Sequence, residues 1–444
     1  MKIILSLILV LIIASAGRAQ TFSVLFNFSA DNVGRSPNSQ LVQGPDGRLY
    51  GERFNGVGNS YGTVFAINTN GTGFTNLFSF NYNDGGFPEG GLILSGNTLY
   101  GTTSQGENGY GTVFALNTDS TGFTNLYNFS GSDGSSPEAG LLLSGGTLFG
   151  TTFSGGTNGY GVVFGVNTNG GGFTNLFNLG LHNGGTPESA LIQIGNTLYG
   201  TSYAGGTHGD GGLFSIQTNG TAFTNFYSFN NYDGYFPVDT LVASVSRLYG
   251  TTLQGGTRGY GEIFAINADG SAFTNLYSFT NSLDGGNPKA GLTLYGKILY
   301  GTVYSGGTKN FGAVFAIHTD GTGYTNLYSF TNGIDGAYPA TALWLSGNVL
   351  YGTANGGGTN GYGTIFSLTL PVLASPPVLS VHFTGNHLVV TWPTNATGYT
   401  LETATNLSSA GVWSAVTNVP TIVNGQYTVT NATIGQDAFY YLTH

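Results

Sequence analysis

A pattern of about 50 residues returns seven times along this chain and constrains the fold more than any other feature of the sequence. It is clearest in Gly140–Phe164, GLLLSGGTLFGTTFSGGTNGYGVVF. The glycine after a paired apolar-aromatic step falls at Gly51, Gly101, Gly150, Gly200, Gly250, Gly301 and Gly352. A proline keeps the same beat at Pro37, Pro88, Pro137, Pro187, Pro237, Pro288 and Pro339. A strand of FTNLYSF type begins at Phe22, Phe74, Phe123, Phe173, Phe223, Phe273 and Tyr324. A fixed period of this length marks a repeat architecture in which each unit buries its apolar face against the next.

Each unit carries four strand signals, which in the third copy are Leu141–Ser144, Thr147–Thr152, Val162–Asn167 and Phe173–Leu179. Four strands of ordinary length with short turns fill the period. The Gly-containing turn in LLSGGTLF is a hairpin signal. In Phe123, Asn125, Tyr127 and Phe129, alternation points these four side chains to one face and Leu126 to the other. Gly150 and its equivalents sit inside a strand, where glycine marks close backbone approach or a bulge. The expectation is an all-β, seven-bladed β-propeller over residues 20–370. The array opens with a spare FTNLYSF-type strand, Phe22–Phe28, and ends after Gly363–Leu368 one strand short. Phe22–Phe28 is therefore expected to complete the seventh blade. An open solenoid is the alternative, and it leaves the spare strand unexplained.

Composition fits turns between strands. Glycine accounts for 76 of 444 residues and hydrophobic residues for 40%, while charged residues are only 7%. A disordered chain has the opposite balance. The N-terminal Met1–Ala19 has Lys2 before the apolar run Ile3–Ile13 and small residues at Gly17 and Ala19. This reads as a secretory signal peptide (residues 1–19), so the mature chain is expected to start at Gln20, outside the cell or in the cell envelope, with no integral membrane span. With Lys2 and Arg18 in the leader, eight basic and 20 acidic residues remain, a net charge of −12. No basic stripe is present, which argues against nucleic acid as a partner. Cysteine is absent, which excludes thiol catalysis and thiolate metal sites.

The motif LYGTT–SGG–NGYGTVFAIN–DG–FTNLYSF resembles the GloVer tandem repeat of secreted and surface bacterial proteins, over residues 21–370 and in all seven copies. The resemblance implies an exported protein with a variable C-terminal attachment module, and no established activity. The strand order is also similar to that of quinoprotein-type propellers. No Trp-docking motif recurs, and no cofactor is expected.

In a meandering blade the loop holding Asp133, Gly134 and Pro137 shares a face with the Gly-rich loop Ser154–Gly161. The Asp-Gly pair recurs at Asp84, Asp133, Asp233, Asp284 and Asp335, with Asn183 and Val33 as exceptions. Each loop offers at most one carboxylate, so these read as Asx turns rather than calcium loops. Departures from the repeat point to chemistry. After the proline come Glu89, Glu138 and Glu188 in successive units, then Val238, Lys289 and Ala340. They begin the strand expected innermost and would line the channel mouth. At the tips of the Gly-rich loops stand Asn59, Asn108, Asn158, His208, Arg258, Lys309 and Asn360. The loop face thus reads as polarised, and Glu89, Glu138, Glu188, His208, Asp210, Arg258 and Lys309 are its candidate ligand-binding residues. In unit four, His182, Glu188, His208 and Asp210 share this face, and Asp210 replaces the Tyr of GYG. Their spacing matches no metal signature. Tyr110 and Tyr160 read as packing between blades, with sugar stacking as the alternative.

Pro371–Pro377 reads as a linker. Val378–His444 resembles a fibronectin type III-like sandwich, carried by HLVVTWP and GYTLETATN, with Trp392 and Tyr399 as core residues and the last strand missing. The leading functional expectation is a secreted, non-catalytic binding or scaffold propeller for an extracellular glycan or surface protein. The alternatives are a polysaccharide hydrolase or lyase using acidic residues at the mouth, and a purely structural envelope repeat.

Overall fold

The computed structural model describes residues 20–29, 37–56, 60–371, 379–384, 387–393, 400–404, 414–416, 419–423, 426–432 and 439–443. The leader, Val33, Asn59, the linker beyond Pro371 and Tyr399 lie outside the described residues. The chain divides into two compact units, one Gln20–Leu370 and the other including Pro371–His444.

Seven four-stranded antiparallel sheets make up Gln20–Leu370. The third sheet is typical, with strands Leu142–Ser144, Thr147–Thr152, Val162–Asn167 and Thr174–Asn178 in that order. The second, third and fourth strands match the repeat signals to within a residue. The first is three residues long, because the chain enters it from the Pro-containing turn and leaves it at once through the Gly145-Gly146 hairpin. In the seventh sheet, Trp344–Ser346, Val349–Ala354 and Thr364–Thr369 are followed by Thr21–Asn27, which pairs antiparallel with Thr364–Thr369. Ser23 lies opposite Ser367.

Aromatic stacking joins each sheet to the next. Phe173 lies flat on Tyr127 of the preceding sheet, with centroids 3.7 Å apart and planes 2° apart. The same pair recurs as Phe78–Phe123, Phe177–Phe223, Tyr227–Phe273 and Tyr277–Tyr324. The first strand supplies the last two pairs. Phe22 stacks on Tyr328 of the sixth sheet at 3.7 Å, and Phe26 on Phe74 of the first sheet at 4.2 Å. The circuit of stacks therefore passes from the seventh sheet back to the first. Innermost strands follow the same circuit: Thr293 Oγ1 donates to Leu343 O, and Gln40 Nε2 donates to the same carbonyl.

Between sheets lie separate apolar clusters rather than one core. Between the second and third, Tyr100, Val113, Phe129, Leu141, Leu148, Val162, Phe164 and Val166 are buried together. Gly150 is opposite Phe164 in this ladder, and a Cβ on it would meet Phe164 Cζ at 2.6 Å and Leu141 Cδ2 at 2.9 Å. The in-strand glycine is thus fixed by an aromatic ring crossing over it.

Strict alternation fails in the outer strand. Val113 pairs with Tyr127 but Phe114 pairs with Asn125, so Leu126 is the extra residue of a bulge. Tyr127 and Phe129 pack toward the next sheet, while Phe123 packs toward the preceding one. The four residues expected on one face are split between two, because the bulge resets the pleat. The shift recurs in every sheet of the array. It lets one strand offer aromatic rings to both neighbours.

In the C-terminal unit, Ser380–Thr384, His387–Pro393, Gln426–Ala432 and Thr421–Val423 form one sheet, and Ser414–Ala415, Thr400–Ala404 and Phe439–Thr443 form another. Trp392 is buried with Val390, Leu401 and Val429.

Candidate functional site at the mouth of the loop face

The Asp-Gly loop and the Gly-rich loop do share a face, and they pair with each other: Ser135 bridges Ser154, and Gly156 N donates to Gly131 O. The loop aspartates are spent on structure. Asp133 accepts from Ser130 N at 2.8 Å and from Tyr127 OH at 2.5 Å. Asp233, Asp284 and Asp335 accept in the same way from Tyr227, Tyr277 and Tyr328. Where the tyrosine is Phe177, the loop residue is Asn183, which caps Gly180 N alone. Each Asp is followed by a glycine at positive φ, Gly134 at 131° for example.

In six of the entry turns the residue before the proline is described, and it is left-handed. Phe87, Ser136, Thr186, Phe236, Asn287 and Tyr338 all have φ between 52° and 59°. Such a conformation is costly for bulky or β-branched residues, and more so before proline. Two backbone hydrogen bonds hold it. Ser136 N donates to Tyr110 O of the preceding Gly-rich loop, and Ser136 O accepts from Phe153 N of its own sheet. The strained residue thus ties neighbouring sheets together and turns the chain inward into the Pro-Glu step.

The post-proline residues do not begin the innermost strands but stand four residues before them, in the entry turns, because Ile93–Ser95, Leu142–Ser144 and Ile192–Ile194 start only after the turn is complete. Glu89, Glu138 and Glu188 are half-buried there and interact electrostatically. Burial first, then the charges of Glu138 and Glu188, pushes Glu89 up to about 7. Burial, then Glu138, raises Glu188 to about 7, with Lys289 acting in the opposite direction and Asp239 in the same direction. Burial also raises Glu138. The second, third and fourth entry turns therefore converge on one acidic mouth, with Asp239 and Lys289 on its far side. Packing of the turns supports this. Gly90 and Gly140 approach so closely that a Cβ on Gly90 would meet Ala139 O at 2.4 Å.

Aromatic pairs border the mouth. Each joins the residue three after the in-strand glycine to a left-handed residue: Phe54–Phe87 at 4.8 Å, Tyr203–Phe236 at 4.4 Å and Tyr304–Tyr338 at 5.0 Å. Burial, then Glu188, raises the Tyr203 hydroxyl. Lys289 Nζ lies 4.3 Å from the Tyr304 ring centroid. A cavity of about 180 Å³ opens among Asn38, Phe54, Glu89 and Asn355, and Asn355 Nδ2 donates to Asn38 Oδ1.

Beneath Glu89 stands a buried carboxyl that the repeat does not foreshadow. Glu52 occupies the position of Thr102, Thr151, Thr201, Thr251, Thr302 and Thr353. In five of those sheets the threonine hydroxyl donates to a carbonyl of the next entry turn, as Thr102 does to Ala139 O. Glu52 is fully buried. Its Oε2 accepts from Gly91 N at 3.0 Å, and its Oε1 has no partner. Burial, and to a lesser extent Glu89, pushes it up to about 8 against the pull of the Gly91 N–H. Its neighbour Arg53, also buried, donates to Asn76 Oδ1 and lies 5.7 Å from the Phe28 and Phe74 rings. Burial lowers it to about 9.

The other expected site residues do not join this cluster. His208, Arg258 and Lys309 are exposed at the tips of the Gly-rich loops. These tips fold over the outer strand, where Thr207 N donates to Ser228 Oγ and Thr308 N to Ser329 Oγ. His208 Nδ1 lies 3.1 Å from Thr207 Oγ1. Asp210 serves through its backbone, accepting from Phe236 N. No hydrogen bond or ion pair among the described residues joins any of these four to the glutamates. His182 is exposed too, and among the described residues no three His, Asp or Glu are placed to hold a metal. The loop face is divided by radius, with an acidic centre and basic tips at the rim. Asn38, Asp239, Glu52 and the aromatic pairs belong to the mouth without having been singled out from the sequence. A column-by-column reading of the seven copies contains the signal for Glu52 and Asn38.

No curated protein sequence matches the chain. Among solved structures, puromycin hydrolase is similar with a TM-score of 0.53 and 11% identity, over 82% of this chain and 59% of that one. An oligogalacturonate lyase in complex with manganese is similar with a TM-score of 0.51 and 11% identity, over 80% and 97%. TolB from Acinetobacter baumannii gives a TM-score of 0.39 and 11% identity, over 63% and 60%. The chain thus spans about 60% of the TolB chain. The likeness to the hydrolase and the lyase concerns the propeller fold alone. The Gloeobacter/Verrucomicrobia repeat matches residues 12–208, 94–252 and 194–386, and this chain belongs to that repeat family.

Proposed function

We propose that this chain is a secreted binding propeller that holds an extracellular glycan or surface component at the mouth of its loop face. One observation carries the reading: half-buried carboxyls and aromatic pairs meet at the same mouth, on a scaffold of packed sheets. Flat aromatic faces suit the apolar faces of sugar rings, and carboxyls accept from hydroxyls. The leader of residues 1–19 supports export, and the C-terminal unit, read as a fibronectin type III-like sandwich, would serve as an attachment module. The test uses Gln20–His444 on a panel of insoluble and soluble polysaccharides, with retention and released oligosaccharide scored in one tube. Retention without release supports binding. Absence of retention on every polymer overturns it.

A second reading, catalysis on a polysaccharide, draws on the acidity of the mouth. Glu89 and Glu188, both raised to about 7, would be partly protonated near neutrality, as a general acid requires. Release of oligosaccharide, lost in Glu138→Gln and Glu188→Gln, is the outcome that selects it. The ligand named for the lyase, an oligogalacturonate, is a polyanion, and a mouth lined with carboxyls disfavours such a chain.

A further inference from the structure

Repeat symmetry shows what one side of the mouth lacks. In the sixth sheet the entry residue is Lys289, the aromatic residue is Tyr304, and the next left-handed residue is Tyr338. The Lys289 ammonium lies over the Tyr304 face, 4.3 Å from its centroid, and Tyr304 packs on Tyr338 at 5.0 Å. The corresponding residues at the first sheet are Asn38, Phe54 and Phe87. Phe54 packs on Phe87 at 4.8 Å, so the aromatic pair is kept, but the short Asn38 carries no cation. What remains is the cavity of about 180 Å³ lined by Asn38, Phe54, Glu89 and Asn355.

The Glu89 carboxyl on this side is offset by no cation among the described residues. Glu89 interacts with Glu138 and Glu188, and Glu52 is buried behind it with Oε1 unpartnered. The guanidinium of the neighbouring Arg53 is turned to the opposite face of the strand, against Phe28 and Phe74. On the sixth-sheet side Lys289 offsets Glu188. An ammonium over an aromatic face beside a carboxylate gains from both cation–π and charge-assisted hydrogen bonding.

Resting on the glycan-binding reading above, we infer that the Asn38–Phe54–Glu89 side of the mouth takes an amino sugar with a free ammonium group, as in a glucosamine-type, deacetylated glycan. The ammonium lies over the Phe54 face beside Glu89, repeating with an external ligand the Lys289–Tyr304 arrangement. The experiment measures affinity of Gln20–His444 for glucosamine, N-acetylglucosamine and glucose oligomers of equal length. The expected result is a preference of about tenfold or more for the glucosamine oligomer, the range of one charge-assisted contact. Glu89→Gln removes that preference, so that the glucosamine and glucose oligomers bind alike. Asn38→Lys, which copies the sixth sheet, removes it as well and is an independent check that does not depend on the fold of Glu89→Gln. Equal binding of all three oligomers, or a preference untouched by both variants, overturns the inference and leaves the glycan reading standing. Failure to retain any oligomer or polysaccharide overturns both.

Discussion

Replacing Glu52 by Gln is expected to stabilise the protein at alkaline pH and leave it nearly unchanged at pH 5. Glu52 is fully buried and raised from 4.5 to about 8, chiefly by burial. The acid is neutral in the folded chain and ionises freely in the unfolded one above pH 4.5. Folding then takes up a proton, so the contribution of this group to stability is complete below pH 4.5 and is lost as pH rises toward 8. At about 1.4 kcal/mol per pKa unit, the loss approaches about 5 kcal/mol above pH 8, as an order of magnitude. A glutamine keeps an oxygen for Gly91 N and cannot ionise. Glu52→Thr restores the residue of the other sheets and should behave alike. Denaturant unfolding of Gln20–His444, following the propeller transition at pH 5 and 8.5, measures the difference. Wild type should fall by several kcal/mol more than either variant across that range. Glu89 and Glu188 add slopes of the same sign to all three proteins, so the comparison isolates Glu52. Parallel pH profiles for wild type and variants would refute the reasoning.

Three further substitutions test the scaffold. Gly150→Ala forces a Cβ to within 2.6 Å of Phe164 Cζ and should cost about 1–3 kcal/mol by overpacking, read as a lower denaturation midpoint. Thr186→Asn keeps both backbone ties but replaces a β-branched residue at φ 52° with one that tolerates the left-handed region, and should raise stability by about 1 kcal/mol, seen as a higher Tm. Tyr127→Phe removes the hydroxyl that donates to Asp133 and should cost about 1 kcal/mol. In a glycan retention assay it should bind as wild type does, because Asp133 is a structural cap.

Much of the fold was legible because the period repeats its own evidence. Gly150, Pro137 and Phe173 each stand for a column of seven, and a shared packing or backbone requirement explains each column. The alternation at Phe123–Phe129 misled, because a bulge is invisible in a period-2 pattern. Leu126 is as apolar as any core residue, and nothing local says that it is the extra one. At the site, the post-proline glutamates were legible as departures from the repeat. The structure does not bring His208, Arg258 and Lys309 to them, because residues that share a face can differ in radius. The entry turn leads to the centre, whereas the Gly-rich tip folds back over the outer strand. The aromatic pairs were hidden for another reason. Phe54 and Phe87 are far apart in sequence and meet only because the left-handed residue turns its side chain toward the neighbouring sheet's strand.

The Asn38 side of the mouth depends on the first strand lying in the seventh sheet, since that pairing brings Asn38 beside Asn355 and the first sheet beside the last. Ser23 and Ser367 are opposite one another in this pairing, and the chain contains no cysteine. The most direct measurement is therefore oxidation of Ser23→Cys/Ser367→Cys, with mapping of the cross-linked peptide and a Tm with and without reductant. An intramolecular disulfide between these two positions, formed in high yield and raising Tm, is the predicted result. Free thiols after oxidation, or only intermolecular dimers, would contradict the closure and with it the Asn38 side of the mouth.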